Sequence, residues 1–182
     1  MRDQIFYPAG PISGKYSMYK VIDDFLPQEQ WQHIHDLATG QRDQGSLPYF
    51  VANDVAHVDS DPQLDYYFIH LFYIDNTINS EHYFALEPLV TKIQSRALIR
   101  VKANLYPSTH AVRSHTPHTD FDFDHSAALY MVNSCDGYTT MSDGTRIESI
   151  ANRMVFFDPQ QLHSSSTTSN QPYRVTINFN YF

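Results

Sequence analysis

His118, Asp120, His163 and Arg174 are the residues of this chain whose types and spacing could do chemistry together. If the segment around His118 is extended, side chains at i and i+2 project from one face, so His118 and Asp120 can converge on a single ion. His163 follows an apolar run, Met154 to Phe157, and an Asp158-Pro159 turn signal, as expected of a residue at a strand's mouth. Two imidazoles and one carboxylate on one face of a metal leave the opposite face open, and this donor set suits ferrous iron.

The last ten residues offer a complement to a metal. Arg174, Thr176, Asn178 and Asn180 alternate with Val175, Ile177 and Phe179. In a strand whose apolar face packs on helices, the polar face lines a cavity, and an arginine there suits a carboxylate ligand by charge and by the geometry of its fork. Residues 98 to 106 repeat the pattern, with Arg100, Lys102, Asn104 and Tyr106 alternating with Ile99, Val101, Ala103 and Leu105.

Competing readings of these residue types fail on geometry. His115 and His118 could chelate on a helix, but Pro117 opposes helix there, and in a strand positions 115 and 118 face oppositely. His33 and His35 fall on a helical segment, where i and i+2 lie on roughly opposite sides. The spacing of Asp120, Asp122 and Asp124 mimics the start of a calcium loop, yet the glycine and glutamate that such a loop needs are His125 and Met131 here. Ser164, Ser165 and Ser166 lack the glycine elbow of a nucleophilic serine and read as strand surface or site lining. The remaining histidines read as surface or hydrogen-bonded residues.

The ordered set resembles the 2-oxoglutarate and Fe(II)-dependent oxygenases, especially their short, prolyl-4-hydroxylase-like branch, which also occurs in phage and marine microbial genomes. It consists of His118-x-Asp120, a distal His163, then Arg174 eleven residues later. Supporting segments are Tyr19 to Leu26, Leu129 to Asn133, Asp136 to Thr139, and Arg174 to Phe179, so the resemblance spans most of the chain. It implies a double-stranded β-helix (a cupin-like jelly roll) and an iron held by His118, Asp120 and His163. It further implies 2-oxoglutarate anchored by Arg174, dioxygen as co-substrate, and ascorbate as an optional reductant. Asn104-Leu105-Tyr106 resembles the N-x-Y element by which some members contact 2-oxoglutarate, so Asn104 and Tyr106 join the expected cofactor-binding set. Decarboxylation to succinate coupled to hydroxylation of a small molecule or peptide is the implied reaction. A nucleic-acid repair dioxygenase would show a basic face and a second arginine where this chain has Asn178 and Asn180. A metal- or ligand-binding barrel without catalysis is the alternative from another class.

Composition agrees with one domain over residues 1–182: 42% of the residues are hydrophobic and 14% aromatic, enough for a core. A net charge of -8 argues against a nucleic-acid partner, since phosphate binding needs a basic footprint. The single Cys135 excludes an intramolecular disulfide and suits a reducing cytoplasm. Residues 1–15 carry charges, prolines and glycines without an apolar run, and read as a loosely packed arm, neither signal peptide nor membrane anchor.

The elements that must position the site follow in order. Residues 16–22 read as a strand, and a helix with Trp31, Ile34, Leu37 and Ala38 at helical spacing ends at Gly40. Residues 41–62 lack periodicity and, with those up to 80, read as entrance loops around an aromatic strand over 66–74. Ser80 offers an N-cap to a helical segment reaching about Ser95, with Pro88 breaking or restarting it. Residues 16–97 thus form a helical buttress with entrance loops, and 98–182 a jelly-roll core. Within that core, 138–142 and 145–150 are a hairpin turned at Asp143-Gly144, and further strands lie near 153–157 and 173–182.

Overall fold

Alternating strands need a partner for each face, and the fold gives the strand Tyr173–Tyr181 a different one on either side. The computed structural model describes residues 19–41, 46–53 and 66–182. The expected N-terminal arm, and much of the stretch from 41 to 62, lie outside these residues.

Ten strands and two α-helices occur in the described chain. They are β1 (Tyr19–Ile22), α1 (Gln28–Thr39), β2 (Phe50–Ala52), β3 (Tyr67–Ile74), β4 (Thr77–Ile78), α2 (Glu87–Ile93), β5 (Leu98–Pro107), β6 (Ser126–Met131), β7 (Tyr138–Thr140), β8 (Arg146–Glu148), β9 (Arg153–Phe157) and β10 (Tyr173–Tyr181). The main sheet has eight strands in the order β1-β9-β6-β10-β5-β3-β2, with β4 on β3. All its pairings are antiparallel, and β10 lies between β5 and β6. Facing it, the β7-β8 hairpin is extended by bridges from Thr140 to Ser164, Ser114 to Ser166 and His118 to His163. Two sheets closed in this way make the double-stranded β-helix, a mainly β jelly roll with N-terminal helices. Strands β1, β2 and β3 belong to the main sheet, so the barrel draws on residues before 98 as well.

The helices cover the outer side of that sheet. Ile34, Leu37 and Ala38 of α1 and Leu89 and Ile93 of α2 join Phe25, Val101, Ala103, Val175, Ile177 and Phe179 in one core. Burying each large aliphatic side chain here is worth roughly 1.5–3 kcal/mol. Gly40 ends α1 in the left-handed region at φ 75°, where its N–H reaches the Asp36 carbonyl. Asn152, buried at φ 63°, links the chain before α1 to the sheet: its Oδ1 accepts from Leu26 N–H and Tyr130 hydroxyl, and its Nδ2 donates to Leu26 O.

Local departures from the sequence reading have physical causes. The segment from 80 to 95 is not one helix: a 3₁₀ helix over Glu81–Leu86 precedes α2, and Pro88 sits in the first turn of α2, where a missing N–H costs nothing. Ser80 caps the 3₁₀ turn by accepting from His82 N–H. The extended run expected around His118 is a set of single bridges rather than a strand, because Pro117 cannot donate to a ladder. Among the described residues, no helix is long and apolar enough to cross a membrane.

Candidate metal centre

The site begins with two backbone segments that run past each other. His118 N–H donates to His163 O at 2.9 Å and His163 N–H returns to His118 O at 3.0 Å, which sets the two imidazoles side by side with ring centroids 4.8 Å apart. Asp120, two residues on, tucks its N–H against Pro159 O and its carboxylate against His163 Nε2 at 3.9 Å. One ligand atom from each of His118, Asp120 and His163 lies within 4.8 Å of the other two.

The surroundings fix the form of each donor. His118 Nδ1 faces Thr116 O at 3.3 Å and His163 Nδ1 faces Gln161 O at 3.0 Å. A carbonyl only accepts, so each Nδ1 is oriented to donate and each Nε2 is the ring nitrogen turned toward the other ligands. Burial, aided by the neighbouring His163, lowers the His118 pKa to about 4, which keeps that ring neutral. Burial pushes the Asp120 carboxyl up, but His163, Arg100 and the Asn180 amide outweigh it and the net shift is downward. Asn180 Nδ2 donates to Asp120 Oδ2 at 2.7 Å and Asn178 Nδ2 at 3.3 Å. Oδ2 is thus occupied, which leaves Oδ1 turned toward His163 Nε2, with Arg100 Nη2 3.5 Å away.

The three ligands line one cavity with Arg174, Tyr106 and Asn104. Register explains the gathering: Arg174 pairs with Tyr106, Thr176 with Asn104 and Asn178 with Lys102 across β10 and β5, so the polar faces of both strands point the same way. Arg174 is fully buried. Its Nη2 donates to Thr139 Oγ1 at 2.8 Å, its Nε to Ser149 Oγ and its Nη1 to Ser166 O, each at 3.3 Å, and the guanidinium lies 5.4 Å from the Tyr106 ring centre. No carboxylate forms an ion pair with it among the described residues. A buried guanidinium held only by neutral acceptors is short of an anion. Asn104 donates weakly to Thr176 Oγ1 at 3.4 Å, and its own Oδ1 is buried without a hydrogen bond.

Gly137 faces the arginine, and a Cβ there would sit 2.7 Å from both Arg174 Cδ and Thr167 O. His115, set aside as a ligand from sequence, lies outside the metal cluster. It is buried against Tyr106 at 5.3 Å between ring centres, with Nδ1 on Ser165 Oγ. Sequence reasoning put Asn180, Arg100 and Lys102 on cavity-facing polar strands without giving them a contact; the structure sets Asn180 and Arg100 around Asp120 and Lys102 in the cavity wall. Their phase on the polar faces was visible, but the contacts come from residues far apart in the chain. Burial, and then the charge of Arg100, lower the Lys102 pKa to about 8.

No protein-family model and no curated protein sequence matches the chain. Solved structures do match its fold. The viral collagen prolyl hydroxylase of Paramecium Bursaria Chlorella virus-1, in its 2OG complex, superposes with a TM-score of 0.59 over 90% of this chain and 95% of its own, at 13% identity. An oxidoreductase of the 2OG-Fe(II) oxygenase family from Burkholderia pseudomallei gives 0.64 over 90% and 85% at 11% identity. SnoN, a non-heme alpha ketoglutarate dependent epimerase from nogalamycin biosynthesis, gives 0.63 over 91% and 77% at 13% identity. The jelly roll of this chain is the one these oxygenases use.

Proposed function

We propose that this chain is a 2-oxoglutarate and Fe(II)-dependent oxygenase that couples decarboxylation of 2-oxoglutarate to hydroxylation of an organic substrate. The observation that carries this reading is that a His-Asp-His donor set and a buried guanidinium lacking a counter-anion line one cavity. The donor set fits a ferrous ion, with two imidazole nitrogens and one carboxylate oxygen, and the remaining positions of such a site stay open. The guanidinium fits the distal carboxylate of a dicarboxylic oxo-acid.

Iron and 2-oxoglutarate, when bound, supply an oxidant from dioxygen with release of succinate and carbon dioxide. The protein's residues do the rest. Arg174 grips a carboxylate at the deep end of the cavity and Tyr106 walls it, its hydroxyl kept protonated by burial. Asn178 and Asn180 hold one oxygen of Asp120 so that the other faces the ion. Leu129 and Phe157 line the same cavity with apolar surface and reduce the room for water. A hydrogen-atom donor on the substrate would approach through the mouth. The assay is succinate release from 2-oxoglutarate with ferrous iron and ascorbate, over a panel of peptides, free amino acids and other small acids. Wild-type protein should turn over 2-oxoglutarate slowly alone and faster with a substrate. An inert protein that still binds metal would favour a binding barrel of the same fold.

A further inference from the structure

We propose that Lys102 is the anion-binding group for the primary substrate, which therefore carries a carboxylate close to the carbon that is oxidised. This rests on iron and 2-oxoglutarate occupying the cavity as proposed above.

Position separates Lys102 from Arg174. Lys102 pairs across the strands with Asn178, whose amide touches the metal-ligand Asp120, whereas Arg174 pairs with Tyr106 two side-chain repeats deeper. The ammonium thus stands at the level of the metal, where a substrate must present its reacting carbon. It is also held in place: Nζ contacts the Tyr67 hydroxyl at 3.1 Å and lies 5.3 Å from that ring's centre, and Tyr67 is itself stacked on Tyr106 at 5.5 Å. No carboxylate forms an ion pair with Lys102 among the described residues.

Charge balance then decides what is missing. With the cofactor bound, the ferrous dication and the Arg174 cation are matched by Asp120 and dianionic 2-oxoglutarate. Lys102 is left as a partly buried positive surplus, and Arg100, whose side chain is 18% exposed and partly screened by water, adds to it. An anionic substrate group beside Nζ removes the surplus and gains a charge-assisted hydrogen bond. A neutral substrate leaves the ammonium with the Tyr67 hydroxyl and ring but without a counter-charge.

The test uses hexanoate and butanoate with their primary amides as probes. They are titrated into the anaerobic Fe(II) protein saturated with 2-oxoglutarate, following heat and the metal-to-ligand charge-transfer band. The acids should bind wild type about tenfold or more tightly than the amides, the loss expected when one charged hydrogen bond is removed. Lys102→Met should erase that preference, Lys102→Arg should keep part of it, and Tyr67→Phe, which deletes only the orienting hydroxyl, should weaken it. The affinity of Lys102→Met for 2-oxoglutarate should stay within about twofold of wild type, and thermal melts should show each variant folded. Acids that bind no better than amides, or not at all, overturn the proposal, as does a preference that survives Lys102→Met. A large loss of 2-oxoglutarate affinity in Lys102→Met would assign the ammonium to the cofactor's own metal-side carboxylate and also overturn it. If wild type fails to bind 2-oxoglutarate in the first titration, the cofactor reading itself falls, before any acid is added.

Discussion

The two faces of β10 are both buried and chemically opposite. Val175, Ile177 and Phe179 are fully buried against the helices, and Arg174, Thr176 and Asn180 are buried to within 1% on the other face, toward the cavity. Burial alone therefore does not distinguish core from site. On the outer face each side chain is interchangeable with another of similar volume, because dispersion and transfer free energy are nearly indifferent to identity. On the inner face every group needs a named partner, because an unmatched polar or charged atom in a low dielectric is expensive. The outer face should govern stability and the inner face ligand binding.

The most damaging change on the ligand side should be His163→Ala or Asp120→Ala. Loss of an outer partner of a metal ligand typically lowers affinity roughly 10- to 100-fold, and loss of the ligand itself should exceed that. Titration with Co(II) or Ni(II), alongside a melt showing an intact fold, measures it; unchanged affinity would move the metal elsewhere. On the opposite face, Phe179→Ala should lower stability by about 3–5 kcal/mol in urea while leaving metal affinity per folded molecule unaltered. A drop in metal affinity there would show that the faces are not independent.

Arg174→Lys should weaken 2-oxoglutarate roughly 10- to 100-fold, since an ammonium cannot reproduce the parallel pair of hydrogen bonds from a guanidinium. The anaerobic charge-transfer titration reads this, and metal affinity should not change. Equal affinities would assign the anchor to Lys102 or Arg100. Asn180→Ala leaves Asp120 Oδ2 with only the longer Asn178 contact, and should cost about tenfold in metal affinity with little change in melting. The smallest effect concerns pH. In the metal-free protein His118 has a folded pKa of about 4 against an unfolded value of 6.5. The unfolded chain therefore binds the proton first, and stability should decline as pH falls from about 6.5 toward 4, by on the order of 1–2 kcal/mol given partial exposure. Denaturant melts across that range should show the decline, and His118→Gln should flatten it.

Much of this division was legible in the sequence, and the limit of legibility is instructive. Strict alternation of Arg174 to Asn180 with Val175 to Phe179 fixes two faces without any knowledge of the fold, and the same period marks residues 98 to 106. Helical spacing in α1 and the left-handed stop at Gly40 were equally local. What stayed hidden were pairings set by register between distant segments. Nothing in the chain says that Asn180 will stand opposite Arg100, or that both will meet Asp120. The path from 108 to 118 was obscured for another reason: its bridges are single and separated, so it has no period to read.

The pair of backbone hydrogen bonds that His118 and His163 exchange bears on how the site could be filled and emptied. Because the main chain of each donor segment is clamped to the other, the separation of the imidazoles does not depend on an ion to hold it. Capture of a metal then requires little ordering of the chain, and the speed of uptake should follow the rate at which water leaves the incoming ion. Release should be reversible without refolding, so one preparation could be stripped with a chelator and recharged with different divalent ions. Amide hydrogens of His118 and His163 should exchange slowly with solvent deuterium in the stripped and recharged protein alike.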